Sequence, residues 1–335
     1  MEDHISGGVD LKKEKGSYRF FKNLIQRNEF GVFIALVLVS IFFAITVHNF
    51  LVPDNILNIL RQSSILGIMA VAMTMVITSG EFDLSVGSVF AFNAVIIGTL
   101  VRSYNFNIWI ATIIAFIIAI IIGLFNGLIT VKLKIPSFIV TLGSMMLIRG
   151  LALVVSNAWP IDLPKSNFNH VFGGSIFGVP LQAVWFILIV IVGYIVLQKS
   201  IFGLNVFATG GNKEAAKLSG INTDKTKIIC FILTACAATL ASLTSMGYLG
   251  SISPTQGNQM EMMAIAASVI GNTALTGGAG FIIGTFFGAI IIGMVKNGLV
   301  LLGTNAYLQD ATLGGLILIS VIINILLSRK NNRSR

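Results

Sequence analysis

Charge is what this sequence has least of. Only 10% of its 335 residues are Asp, Glu, Lys or Arg, and 55% are hydrophobic. An ordinary soluble domain carries about 25% charged residues, so a chain folded as soluble domains is excluded. Histidine is almost missing. His4, His48 and His170 fall at ends or in loops, and no His/Glu set suited to a metal can be assembled. That argues against an intramembrane metalloenzyme. The two cysteines, Cys230 and Cys236, share one apolar run. Six residues apart they point to different faces of a helix, so they cannot bridge each other and read as small core residues. The glycine-rich stretch 264–293 has no lysine after its glycines, which excludes a Walker A phosphate loop.

What remains is long apolar runs. Ten are visible, at about 30–48, 56–79, 85–103, 108–131, 136–155, 182–198, 226–247, 259–271, 281–301 and 308–327. The fold class is therefore an all-α polytopic membrane protein with about ten transmembrane helices. The eighth run is short enough to be re-entrant or broken. The net charge of +9 is not spread like a nucleic-acid-binding surface. It gathers in the N-terminal region, at Lys132 and Lys134, in 199–227 and at the C-terminus. Alternating ten spans from a cytoplasmic start puts all of these inside and leaves Arg61, Arg102, Arg149, Lys165 and Lys296 as the exceptions. Both termini are thus expected in the cytoplasm. The chain divides into a tail and interfacial helix (1–29), a transmembrane domain (30–327) and a short tail (328–335). No short apolar run with a small-residue cleavage site comes first, so no cleavable signal is expected. The longest outer loop, about 156–181, is either a passive connector or a surface for an extracytoplasmic partner.

A weak internal repeat runs through these spans. AIIIGLFNGLIT (119–130) is similar to AIIIGMVKNGLVL (289–301), and NAVIIGT (93–99) to AASVIGNT (266–273). The offset is five spans, an odd number, so the halves would have inverted topology and a path at their interface. Packing between Gly/Ile-rich helices would give the same likeness. Polar residues inside the runs are candidates for that path. Asn126 and Asn297 lead, because they hold equivalent places in the repeat, followed by Asn93 and the aromatics Phe90 and Phe92, with Thr141, Arg149 and Lys296 behind. The alternative for each is an interhelical hydrogen bond, or snorkelling of the long cations. Glu81 and Asp83 lie at the cytoplasmic end of the second run, where a tight turn at Gly80 and a cap by Asp83 or Ser85 explain them better than proton chemistry.

The longest interior polar segment is 199–227, with Lys199, Lys213, Lys217, Lys225 and Lys227. Its centre reads as a helix of about two turns over 213–219. Asn212 caps it, Glu214 suits the positive end of its dipole, and Gly220 ends it in a left-handed turn. Ala215, Ala216, Leu218 and Ile221 supply a small apolar surface that needs a groove elsewhere.

Gly211, Asn212, Ala215, Ala216, Ser219, Gly220 and Ile221 together resemble the coupling segment of ribose-type ABC importer permeases. DLSVGS (83–88) and the glycine-rich 264–303 resemble the same family, so the likeness covers about 55–325. This chain departs from the usual pattern at Glu81-Phe82, at Gly271-Asn272 and near Met260-Glu261-Met262. The resemblance implies a non-catalytic transport subunit in a prokaryotic cytoplasmic membrane. It implies that Gly211–Ile221, with Lys213 and Glu214, dock on a separate ABC ATPase. It also implies a second permease copy (homodimer or paralogue), an extracytoplasmic substrate-binding protein and surrounding membrane lipid. The chain itself would bind no cofactor; ATP and Mg would be used by the ATPase. A monosaccharide such as ribose is the expected cargo, with a nucleoside or furanose-like signalling molecule as the alternative. An ion-coupled secondary transporter is the rival from another class, disfavoured because no carboxylate sits in a span centre.

Overall fold

The computed structural model describes residues 28–333. The expected polar tail and nearly all of the interfacial stretch 18–29 lie outside the described residues. Five helices come first: α1 Asn28–Thr46, α2 Pro53–Thr78, α3 Val86–Tyr104, α4 Ile108–Lys132 and α5 Ser137–Val155. A small outer layer follows, with β1 Ile161–Asp162, α6 Asn167–Gly173, β2 Ser175–Ile176 and β3 Val179–Pro180. Then come α7 Leu181–Tyr194 with a π turn at Ile195–Lys199, α8 Ile201–Gly211, α9 Lys213–Leu218 and α10 Thr223–Leu249. The chain ends with β4 Ser251–Ile252, α11 Met260–Ile270, α12 Ile282–Leu301 and α13 Ala306–Arg333. The last helix runs through residue 327 without a break, so the tail expected from 328 starts as helix.

Local chemistry sets the boundaries. Pro53 opens α2 at a position where its missing N–H costs nothing. The Asn107 side chain accepts from Trp109 N and caps α4. Asn105 and Gly250 end α3 and α10 in the left-handed region.

Every one of the ten apolar runs contains a helix. Seven helices are long and apolar enough to cross a membrane: α2, α3, α4, α5, α7 with its π turn, α10 and α12. The eighth run is α11, whose 11 residues measure about 16 Å, roughly half a bilayer's hydrocarbon. The segment 199–212 is corrected from loop to structure: most of it is α8, which buries Gly203, Val206 and Thr209.

The most deeply buried helices are α2, α12, α3 and α10, while α4, α5 and α7 bury far less of their length and turn residues such as Ile121, Met146 and Ile191 outward. α10 packs on α4, α2 and α3; α12 packs on α2, α11 and α1; α3 packs on α4 and α5, and α11 packs on α13. β1 pairs antiparallel with β4, joining the outer loop to the exit of α10. α6 presses on α10 so closely that a Cβ on Gly173 would overlap the Gly247 carbonyl. Cys230 and Cys236 are free.

α4 packs closely on α10. A Cβ on Gly123 would lie 2.6 Å from Ile232 Cα and 2.7 Å from Phe231 O, where only backbone would have to yield. Gly143 on α5 has nothing within 4 Å. Overpacking a tight core costs about 1–3 kcal/mol, and more where backbone must move. Gly123→Val is therefore expected to lower membrane abundance and thermal stability in detergent sharply, while Gly143→Val leaves both near the parent. Equal behaviour of the two, by fluorescence-detected size exclusion, would contradict this packing.

Candidate functional site

The segment 211–221 forms as its capping residues dictate. Asn212 Oδ1 accepts from Ala215 N at 3.0 Å and starts α9, and Gly220 ends the turn with φ +82°. Ile221 N then donates to Ala216 O at 3.0 Å. Lys213 reaches Asp224 at 4.0 Å and Lys217 reaches Glu214 at 3.9 Å; both pairs are partly or largely solvated and contribute little. The expectation that Ala215 and Ala216 share the presented face needs correcting. Ala216 is 4% exposed and belongs to this chain's own core, whereas Ala215 is exposed and Leu218 is 91% exposed. A six-residue helix has one side to spend on its own fold, and Ala216 occupies it. The outward surface is Glu214, Ala215, Lys217, Leu218 and Ser219, with Ile221 half-buried at its edge.

Three backbone segments meet beside this helix. Gly278 N donates to Thr78 O at 2.8 Å. A Cβ on Gly210 would overlap that carbonyl and come within 2.7 Å of Gly278 N. Gly277, in the left-handed region at φ +82°, leaves 2.9 Å between its missing Cβ and Gly80 Cα. The end of α2, the end of α8 and the 271–281 connection thus touch main chain to main chain. Sequence reasoning did not single out this junction; the doubled glycines at 210–211 and 277–278 were its signal.

Lys227, counted above among solvated loop lysines, is buried and paired with Glu81, their side chains 8% and 14% exposed. Glu81 is one of the residues by which this chain departs from the ribose-type pattern. Two residues on, Asp83 Oδ1 accepts from Ser85 N at 2.9 Å and from Ser85 Oγ at 2.6 Å. Asn126 Nδ2 donates to Ser85 Oγ at 3.0 Å. The carboxylates thus serve a turn and an ion pair, and no cluster of metal-ligating side chains occurs among the described residues.

The stretches before α3 and α11 converge inside the bundle. A Cβ on Gly257 would lie 2.6 Å from Gly87 O. Arg149 reaches both: its Nη1 donates to Pro254 O at 2.8 Å and Gln256 O at 2.9 Å, and its Nη2 to Gly87 O at 3.2 Å. Against this junction opens a cavity of about 410 Å³ between α2, α10, α11 and α12. Its polar wall includes Asn58, Arg61, Gln62, Tyr248, Asn258 and Lys296, and Phe90, Met260 and Ile292 form part of its apolar wall.

Of the residues expected along a path, Lys296 and Phe90 line this cavity. Asn93 Nδ2 donates to Thr239 Oγ1 at 2.6 Å. Asn297 and Asn55 exchange amide bonds at 2.9 and 3.0 Å. Asn126 holds Ser85, and Phe92 packs between the two halves of the core. Asn55 and Asn297 satisfy each other across helices, whereas Asn93 and Asn126 each bond through Nδ2 and leave a buried Oδ1 without a protein partner. The cavity residues that were missed had one signal, Asn58, Arg61 and Gln62 at i, i+3 and i+4 on the apolar α2.

Residues 55–321 match the family described as branched-chain amino acid transport system / permease component. The chain belongs to this permease family. It is 38% identical over 296 residues to the ribose import permease protein RbsC of Bacillus subtilis (strain 168), covering 88% of this chain and 92% of that one. It is 34% identical over 327 residues to the probable ABC transporter permease protein YphD of Escherichia coli (strain K12), covering 97% and 98%. The D-allose transport system permease protein AlsC of the same strain is 30% identical over 320 residues, covering 95% and 98%. No solved structure matches the chain. The permease is thus a multi-pass membrane protein.

The buried pair gives a direct test. Removing one partner strands the other charge, at about 3–5 kcal/mol, whereas removing both leaves only a smaller packing loss. Lys227→Ala is expected to lower the melting temperature of the purified permease markedly, and Glu81→Ala/Lys227→Ala to recover most of the loss. A double variant no more stable than Lys227→Ala would refute the pairing.

Proposed function

We propose that this chain is the membrane subunit of an ABC importer that moves a small polyhydroxylated solute, a monosaccharide in the first instance. The observation that carries the reading is a polar, partly aromatic-walled cavity and a capped surface helix in one chain of this permease family. The solute would pass by way of the cavity walled by Asn58, Gln62 and Asn258. Amides beside an apolar wall suit a sugar, whose hydroxyls need partners and whose C–H face does not. ATP would be hydrolysed by a separate ATPase docked on α9, and an extracytoplasmic binding protein would deliver the solute. The sugar-permease names among the relatives support the substrate class.

An inverted repeat supports a path at the centre. Under the five-span offset, α4 on α10 corresponds to α12 on α2, α3 on α5 to α11 on α13, and α3 on α10 to α11 on α2. Each of these pairs packs. α3 and α11, equivalent under the same offset, both begin within the bundle, at Gly87 and beside Gly257. A second permease copy would complete the path facing the cavity.

Both termini are placed in the cytoplasm by the positive-inside distribution. Phe177, fully exposed in the outer loop, and Leu218 on α9 then lie on opposite sides. In a Cys230→Ser/Cys236→Ser background, Phe177→Cys is expected to react with an impermeant thiol reagent on intact cells, and Leu218→Cys only after lysis. Labelling of Leu218→Cys from outside would invert the topology.

Docking predicts a split between neighbours. A charge buried unpaired at an interface costs about 2–5 kcal/mol, or roughly 30-fold to several-thousand-fold in affinity. Leu218→Glu is expected to keep normal permease levels and lose both ATPase recovery on pull-down and ATP-dependent uptake of labelled D-ribose. Ala216→Glu, a charge forced into the permease's own core, is expected to lower the permease level as well. Normal pull-down and uptake in Leu218→Glu would remove α9 from the interface. Uptake that persists without ATP would favour an ion-coupled transporter instead.

A further inference from the structure

The cavity holds two cations and no anion. Arg61 and Lys296 line it, and no aspartate or glutamate does. Among the described residues, the carboxylates within 4.0 Å of a basic nitrogen are Asp224, Glu214 and Glu81, all far along the chain from these two and paired elsewhere. Glu261, at the foot of the cavity, is engaged electrostatically with Arg149. Asp54, the nearest acid along α2, is two turns, about 10 Å, from Arg61. Arg61 is held in place: its Nη1 donates to Asn58 Oδ1 at 2.7 Å, and its guanidinium lies 4.4 Å from the Tyr248 ring centre. Its Nε is shielded from solvent and donates to no protein atom. Lys296 is exposed on the cavity side of α12 and has no carboxylate within 4.0 Å among the described residues. Two basic side chains on apolar helices, facing one cavity with no carboxylate partner, are the kind of residue that marks a substrate path. A neutral sugar needs neither of them.

We propose that the solute is an acidic monosaccharide derivative, a sugar bearing a carboxylate or phosphate. Its anion is met by Arg61 and Lys296 while its hydroxyls are met by Asn58, Gln62 and Asn258. Arg61 supplies planar, charge-assisted donors and Lys296 a mobile point charge, a combination that fits either anion. This rests on the transport reading above and narrows its substrate class.

The test uses the purified full-length permease in lipid nanodiscs and pairs of probes that differ in an acidic group. These are D-ribose against D-ribonate, D-ribose against D-ribose 5-phosphate, and D-glucose against D-glucuronate. Binding is read by saturation-transfer NMR. At least one acidic probe is expected to bind about tenfold tighter than its neutral parent, with the advantage shrinking as salt rises. Arg61→Gln and Lys296→Gln should each erase most of that advantage, and Lys296→Arg should keep it. A carboxylate pair or the phosphate pair showing the preference identifies the anion. Equal binding within every pair, or an advantage that survives both glutamine variants, would overturn the proposal and leave Lys296 as a snorkelling residue. Cell uptake separates the two levels. ATP-dependent import of a neutral probe with the acidic ones ignored sinks the acidic substrate and leaves the importer standing, while no ATP-dependent import of any probe removes both.

Discussion

Backbone that leaves a helix inside an apolar bundle must find partners, because no water is there to supply them. The permease does this twice, before α3 and before α11, and brings the two breaks together. Arg149 is the shared solution. One guanidinium from α5 donates to Pro254 and Gln256 in the break before α11 and to Gly87 in the first turn of α3, so one side chain ties the two together. Glycine makes the approach possible, since a Cβ on Gly257 would meet the Gly87 carbonyl. The cavity exists because of this arrangement. α11 begins late, and the residues an uninterrupted span would have filled with packed side chains instead carry Gln256, Gly257 and Asn258 at its wall.

The same rule explains which polar residues are structural and which are free. A buried amide in a helix is neutralised by the helix opposite, as Asn297 is by Asn55 and Asn93 by Thr239. Its burial is what removes it from any path. The cavity's polar side chains, Arg61 and Lys296 among them, face the space beside the break before α11. Polarity within an apolar run is therefore a poor guide to a path on its own. Polarity that faces a cavity is the informative feature, and only the packing reveals it.

That distinction marks how far the sequence could be read. Long apolar runs announce helices by length alone, and all ten became helical, α11 as the short one. Caps and left-handed turns are local, so Asn212 and Gly220 shape α9 as their chemistry demands. The side that α9 presents is not local. It depends on where α8 and α10 leave it, and α8 was hidden inside a segment whose polarity suggested a loop. Hence Ala216 was assigned outward when it faces in. The pairing of Lys227 with Glu81 was illegible for the same reason, since the two are 146 residues apart and each looks like an ordinary loop charge.

α2 joins the two functional ends. Its last turn meets α8 and the 271–281 connection through the glycine junction at Thr78, next to α9, and its Asn58, Arg61 and Gln62 stand in the cavity wall. From Gln62 to Thr78 α2 spans about 24 Å, in a helix among the most deeply buried in the protein. Close-packed interiors have low compressibility and transmit strain. The glycine junction is main chain on main chain, with no flexible side chain between α8 and α2 to absorb a displacement. Under the proposed reading, a shift imposed on α9 by an ATPase would therefore reach α2 undamped. It would arrive at the cavity as a change in the position of Arg61 relative to Lys296 on α12. Spreading two cations around an anion weakens their hold on it, so one rigid helix would be enough to connect docking at one end with release at the other.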